Sequence, residues 1–249
     1  MLVLLPPSET KAVGGDGAPL DLERLSFPEL TRTRERIGST LVRMGANPTR
    51  AAKTLGLGTT QVDEVLHNAA LLESPTMPAI RRYTGVLYDS LDYASLKPAE
   101  RTRADARLAI GSALFGVVRA SDEIPAYRLS GGTKLPRIGT LGSAWKPTLG
   151  PVLADVAKDE LVVDLRSGAY RSLAPVDDAV TVRVLSEKPD GSRGVVSHFN
   201  KATKGLLARL LAASSRECAS VGDVLRVARR GGLDVEQVDD LAIDVITHP

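Results

Sequence analysis

Between Leu114 and Lys134 the chain reads LFGVVRASDEIPAYRLSGGTK. Arg119, Asp122, Tyr127, Arg128 and Lys134 stand there among glycine and proline. Arginine offers a planar fork of donors, lysine a point charge, and glycine a close approach of backbone. This mixture suits the holding of an anion; core packing has no need of it. Asp122 needs a task of its own beside phosphate ligands, either pairing an arginine or acid–base work.

Three strand-like runs also end in polar clusters. The run after Leu2 leads into Pro6-Pro7-Ser8-Glu9-Thr10-Lys11. The run at 160–165 leads into Asp164-Leu165-Arg166-Ser167-Gly168-Ala169-Tyr170, and the run at 194–197 into Ser197-His198-Phe199-Asn200-Lys201. Strand ends that feed one crevice are a common way to build a site on a sheet. Lys201 and Lys204 fall in the first turn or so of the expected helix from Lys201. The helix dipole disfavours cations there, and a bound phosphate would remove the conflict. The expected anion-holding set is therefore Ser8, Lys11, Arg119, Arg128, Lys134, Arg166, Asn200, Lys201 and Lys204. The candidates for catalysis are Asp122, Tyr127, Asp164, Ser167 and Tyr170.

Other chemistries find little support. His67, His198 and His248 are scattered and Cys218 is the lone cysteine, so no metal-ligand spacing appears and no metal or cofactor is expected. Ser130-Gly131-Gly132-Thr133-Lys134 lacks the spacing of a phosphate-binding Walker loop. A triad of Ser8 or Ser167 with His198 and Asp164 can be written down, but only geometry could support it. A net charge of +2 gives no global basic field, so nucleic-acid binding needs local clusters. Arg32, Arg34, Arg36 and Arg43 form one; Arg101, Arg103 and Arg107 a second; Lys201, Lys204, Arg209 and Arg216 a third; Arg226, Arg229 and Arg230 a fourth. Aromatic residues are 4% of the chain, too few for a single-strand stacking platform, which favours duplex DNA or a small anionic ligand as partner.

These groups need a scaffold. A chain of 249 residues, 43% hydrophobic and 25% charged, can bury one large core, and a single domain over 1–249 is expected. The start MLVLLPPSETK has no basic leader and no long apolar stretch, and no run approaches a membrane span, so a cytoplasmic location is expected. Strands are expected at Leu2 to Leu5, Glu160 to Leu165, Val180 to Ser186, Gly194 to Ser197 and Ala242 to Thr247. Helices are expected over Phe27 to Arg43, from Asn47-Pro48, from Thr59 to Leu72, and over Ile80 to Leu91. Further helices are expected over Pro98 to Phe115, Leu141 to Ala157 with interruptions near Pro147 and Pro151, Lys201 to Ala213, and Val221 to Arg229. No clean β-α-β rhythm runs through the order, so the class is α+β, with a mixed sheet surrounded by helices.

Several long motifs in order resemble the YaaA family of bacterial peroxide-stress proteins. They are LLPPSETK, YTGVLYDSL at 83–91, LFGVVRASDEIPAYRLSGGTKL at 114–135, Trp145, VVDLRSGAYRSL at 162–173 and SHFNKATKGLLARLL at 197–211. The resemblance implies a cytoplasmic protein that limits iron-driven DNA damage under hydrogen peroxide. It also implies an unusual fold that binds DNA through a positively charged cleft and a helix–hairpin–helix-like element. The helix ending at Leu114-Phe115-Gly116-Val117, with its following turn, is the expected place for that hairpin. The alternative is an enzyme acting on a small nucleotide-like or phosphorylated substrate.

Overall fold

The computed structural model describes the backbone of residues 1–194 and 197–248, with all side chains there except those of Thr59 and residues 197–199. Three short runs form its centre: Leu2–Leu5, Leu108–Ser112 and Val162–Asp164. Each is buried along its whole length, as a parallel strand covered on both faces must be. Leu2–Leu5 lies in the middle, parallel to both neighbours, with Leu5 beside Ile110 on one side and Leu4 beside Asp164 on the other. Outward from Val162–Asp164 come Val180–Glu187, also parallel, then Ala242–Thr247, parallel again, and finally the antiparallel edge Asp234–Asp239. Outward from Leu108–Ser112 the sheet ends in the antiparallel Gly116–Arg119. The short Arg193–Gly194 pairs with the far end of Val180–Glu187 and completes an eight-stranded mixed sheet. The α+β class with a mixed sheet is thus the observed one.

The chain leaves Leu5 to return at Leu108 on one side, and later at Val162 on the other. The end of the first strand is therefore a topological switch point, where the loops diverge at the carboxyl edge and where ligands of open sheets commonly bind. The helices Val86–Leu91, Pro98–Arg107, Ser197–Ala213 and Val221–Arg230 pack as one group. Thr31–Gly45, Pro48–Leu55, Glu64–Ala69 and Leu141–Asp159 form the other. No helix among the described residues is long and apolar enough to cross a membrane.

Three expectations are corrected. The helix from Pro98 stops at Arg107, and Leu108 to Arg119 is a β-hairpin. Leu108 to Val118 are buried without interruption, so this stretch has no polar face to turn outward as a surface helix would. Ser112 Oγ accepts from the Phe115 N–H at 3.0 Å, and Gly116 takes φ +74° to close the turn. Trp145 covers it, with Nε1 donating to Ala113 O at 2.9 Å. Ala113, Leu114, Phe115 and Val117 are 0–1% exposed and Gly116 is buried, so this turn cannot offer its N–H groups to a phosphate as a helix–hairpin–helix does.

The second correction is that Leu141–Asp159 runs unbroken through Pro147 and Pro151. Both prolines face solvent, while Leu141, Trp145, Leu149 and Leu153 form a buried stripe. That packing offsets the lost hydrogen bonds, about 3 kcal/mol or more for each interior proline. Third, the expected helix over Ile80 to Leu91 is two short helices, Ala79–Arg82 and Val86–Leu91, parted at Gly85 with φ +104°. The expected strand from Gly194 is represented by Arg193–Gly194; Val195 and Val196 lie outside the described residues. The edge strand Asp234–Asp239 went unseen because DVEQVD carries little apolar alternation.

Candidate anion site at the carboxyl edge of the sheet

The carboxyl edge at the switch point is built from the ends of the three central strands. After Leu5, Pro6 and Pro7 divert the chain, and the Tyr88 hydroxyl donates to Pro6 O at 2.8 Å. Ser8 Oγ and Thr10 Oγ1 lie 3.1 Å apart, and Thr84 Oγ1 donates to Thr10 Oγ1 at 3.2 Å. Gly85 fits beside them: a Cβ there would stand 3.4 Å from Ser8 Oγ, on a backbone that side chains avoid. Lys11 then pairs with Tyr83 in an isolated β-bridge. Arg82 holds this loop from beneath, donating to Ala12 O at 2.5 Å and Gly14 O at 2.9 Å.

Lys11 Nζ sits 4.4 Å from the centre of the Tyr127 ring and 5.3 Å from that of Tyr83. It donates to the carbonyls of Ser8 at 3.0 Å and Glu9 at 3.3 Å. Its pKa is lowered to about 8, chiefly by burial; Glu9 and Glu64 pull it up, and Arg128 and Arg82 push it down. Below it runs a buried hydroxyl chain. Tyr83 and Tyr127 hydroxyls are 2.7 Å apart, and Ser112 Oγ, at the end of its strand, lies 2.8 Å from that of Tyr127. Burial raises the Tyr83 phenol to about 12 and Tyr127 well above its ordinary value, so both stay protonated near neutrality.

The carboxylates of this edge are occupied. Arg166 grips Asp164 with Nε to Oδ1 at 2.9 Å and Nη2 to Oδ2 at 2.7 Å; both side chains are 2% exposed. Arg166 also reaches Ala174 O at 3.0 Å, and a Cβ on Gly111 would stand 3.0 Å from its Cδ. Arg128 binds Glu64 at 2.9 Å and lies 3.6 Å from the Glu9 carboxylate. Its backbone is clamped by Asn68, which accepts from the Arg128 N–H and donates to the Arg128 carbonyl, both at 2.8 Å. Tyr170 is buried, its hydroxyl accepting from Gly131 N at 3.2 Å, and burial raises that phenol too. Ser167 is exposed just before the short helix Gly168–Arg171.

Lys204 reaches the same edge from the helix Ser197–Ala213, donating to Leu165 O at 3.1 Å. Burial pushes it to about 8, Arg171 adds repulsion, and Asp164 opposes both. The helix begins at Ser197, so Lys201 and Lys204 are its fifth and eighth residues. The dipole acts within the first turn, so the argument that placed these lysines at a helix N-terminus does not hold. Lys201 and Lys134 are exposed and Asn200 half-buried. The His198 side chain lies outside the described residues, and Asp164 is engaged by Arg166, so the triad finds no geometric support.

Asp122 and Arg119 are not at this edge. Asp122 accepts from Ser26 N at 3.1 Å, Ser26 Oγ at 2.8 Å and Arg119 N at 2.9 Å, a staple between loops. The Arg119 guanidinium donates to Ala106 O and lies 3.8 Å from Glu160, beside the amino ends of the central strands. Several expected surface cations are fasteners of the core. Arg34 is fully buried and donates to the carbonyls of Ser26, Phe115 and Val117. Arg107 and Arg103 tie the end of the helix Ser197–Ala213 through the carbonyls of Ser214 and Ala213. Two surface concavities lie elsewhere, one of about 370 Å³ lined by Leu20, Leu22, Arg34 and Leu71, the other of about 410 Å³ beside Arg226, Arg229 and Arg230.

The sequence reading missed Tyr83, Ser112 and Arg82. Tyr83 stands in the distinctive YTGVLYDSL stretch, which was the available signal. Ser112 is the single hydroxyl in an apolar strand, and only its register at the switch point gives it meaning.

The molecule is thus a mixed sheet with a topological switch point after Leu5 and two partly buried lysines, Lys11 and Lys204, at its carboxyl edge. The family described as Peroxide stress protein YaaA matches residues 1–237, and the chain belongs to that family. A UPF0246 protein of Corynebacterium efficiens is 55% identical over 241 residues, 95% of each chain. A UPF0246 protein of Streptomyces coelicolor is 45% identical over 242 residues, 95% of this chain and 92% of its own length. An uncharacterised protein of Campylobacter jejuni is 30% identical over 148 residues, 59% of this chain.

Proposed function

We propose that the carboxyl edge is a seat for the phosphates of double-stranded DNA, and that the protein serves the peroxide response in the cytoplasm by binding DNA and limiting iron-dependent damage to it. One observation carries this reading. Lys11 and Lys204 both donate only to backbone carbonyls, and neither makes an ion pair among the described residues, while Asp164, Glu9 and Glu64 are engaged by arginines. Partly buried cations whose neighbouring carboxylates are engaged by arginines attract an anion to the edge they share. Exposed Lys201, three residues before Lys204 on the same helix, adds a second cation beside it. The family's description as a peroxide stress protein supports the physiological half of the proposal.

Lys204→Gln is expected to weaken binding of a labelled duplex about fivefold at low salt, measured by fluorescence anisotropy, with little dependence on sequence. Arg119→Gln, at the opposite edge, should leave affinity unchanged. Affinity should also fall between pH 7 and pH 9. The charged lysine is the form that binds phosphate, and Lys11 and Lys204 lose their protons near 8. A flat pH profile would count against both lysines as ligands.

A second reading is favoured by the buried hydroxyl chain of Ser112, Tyr127 and Tyr83 beneath Lys11, which a phosphate clamp does not require. It is an enzyme acting on a small phosphorylated or nucleotide-like substrate. Thermal stabilisation by a panel of nucleotides and sugar phosphates, with no affinity for duplex DNA, would select it.

A further inference from the structure

Lys11 is placed differently from a lysine that merely attracts phosphate. Its nitrogen lies over two aromatic faces, held by two carbonyls, and the nearby Glu9 and Glu64 carboxylates are turned to Arg128. No ion pair has to break before the amine can move toward a ligand. The ring faces beneath it are immobilised: the Tyr127 hydroxyl is tied to both Tyr83 and Ser112, and the Tyr127 ring meets Phe115 edge-on at 5.4 Å.

We propose that Lys11 is a nucleophile whose amine forms an imine with the aldehyde of a phosphate-flanked sugar, either an abasic deoxyribose in duplex DNA or a free sugar phosphate. The proposal rests on the reading of this edge as a phosphate seat, since Lys204 and its helix neighbour Lys201 would hold the flanking phosphate while Lys11 meets the carbonyl. With its pKa at about 8, about a tenth of Lys11 is neutral at pH 7, against fewer than about one in a thousand for an ordinary lysine. The ring faces favour the charged form and burial the neutral one; burial dominates. The phenols beneath it stay protonated near neutrality, which leaves the amine as the nucleophile of this cluster.

The step balances without any further reactant. The neutral amine attacks the carbonyl carbon, a C–N bond forms, and the C=O π pair moves to oxygen. The carbinolamine takes a proton on its hydroxyl, which departs as water, while nitrogen gives up its proton to solvent. Amine and aldehyde become imine and water.

Cyanoborohydride reduces an imine to a stable secondary amine and so records the step. The full chain is incubated with a duplex carrying a natural abasic site, with 2-deoxyribose 5-phosphate, and with a duplex carrying the aldehyde-free tetrahydrofuran analogue. Peptide mapping is expected to find the adduct on Lys11 in the first or second arm and none in the third. Yield should rise severalfold from pH 6.5 to 8.5 as Lys11 deprotonates among Glu9, Glu64, Arg82, Arg128, Tyr83 and Tyr127. Lys11→Arg should lose the adduct at least tenfold, with circular dichroism checking its fold; mapping on the unmodified chain does not depend on that variant. An adduct spread over surface lysines, or none in either aldehyde arm, overturns the proposal. Binding of the analogue duplex without trapping of the abasic one or of the free sugar overturns the imine and leaves the DNA reading intact. Trapping of the sugar phosphate alone upholds the imine and removes DNA as its source.

Discussion

Replacing Asp164 by alanine is expected to cost about 3–5 kcal/mol of folding stability, because it strands a buried guanidinium. Arg166 is 2% exposed and gives two side-chain hydrogen bonds to that carboxylate, while its own backbone N–H gives a third at 3.0 Å. The two carbonyls left to it, Tyr170 O at 3.5 Å and Ala174 O at 3.0 Å, cannot balance a full charge. Asp164→Asn keeps an acceptor and should cost less. Asp164→Leu combined with Arg166→Met should also cost less than Asp164→Ala alone, since removing both charges avoids an unpaired one. Urea unfolding of the three variants reads the order directly. A loss below about 1 kcal/mol for Asp164→Ala would mean that water reaches Arg166 and that the loop 164–170 is not anchored by this pair.

Gly205→Ala is expected to destabilise by about 2 kcal/mol, although alanine is the better helix former by about 1 kcal/mol. A Cβ at 205 would stand 2.2 Å from Leu87 O and 2.8 Å from Ser90 Cβ. Leu87 O is backbone within Val86–Leu91, so the two helices have to separate to admit the methyl group. The shift would carry Lys204, the preceding residue, away from Leu165 O. A lowered melting temperature accompanied by weaker duplex binding is therefore expected. A stabilised Gly205→Ala would show that the helices are not in close contact at this point.

The sequence made the central strands visible where their residues are apolar and β-branched. Leu2 to Leu5, the run around Val162 and the run from Val180 were read as strands for that reason, and two of the three expected polar strand ends meet at the carboxyl edge. Leu108 to Arg119 was misread because LAIGSALFGVV is apolar but for Ser112 and shows neither helical nor strand period. The burial of Arg34 and Arg107 was illegible for a different reason. Most of their partners are carbonyls 81 or more residues away, and the one carboxylate among them, Glu217 on Arg107, is 110 residues distant, so nothing in the local sequence betrays either burial. Asp122, the acid that a DNA clamp explained least well, finds its task in tying Ser26 to the turn after Arg119. Lys11 kept its place at the site, but its ring contacts with Tyr83 and Tyr127 depend on a chain reversal that local sequence does not announce.

The central claim is that unpaired lysines at the carboxyl edge hold DNA phosphates, and a salt titration of duplex binding tests it most directly. With Lys11, Lys201 and Lys204 engaged, log affinity should fall against log salt with a slope of about −3. Lys204→Gln should flatten that slope by about one. A duplex affinity that is undetectable at low salt, or a slope that is the same in the protein and in Lys204→Gln, would contradict the account.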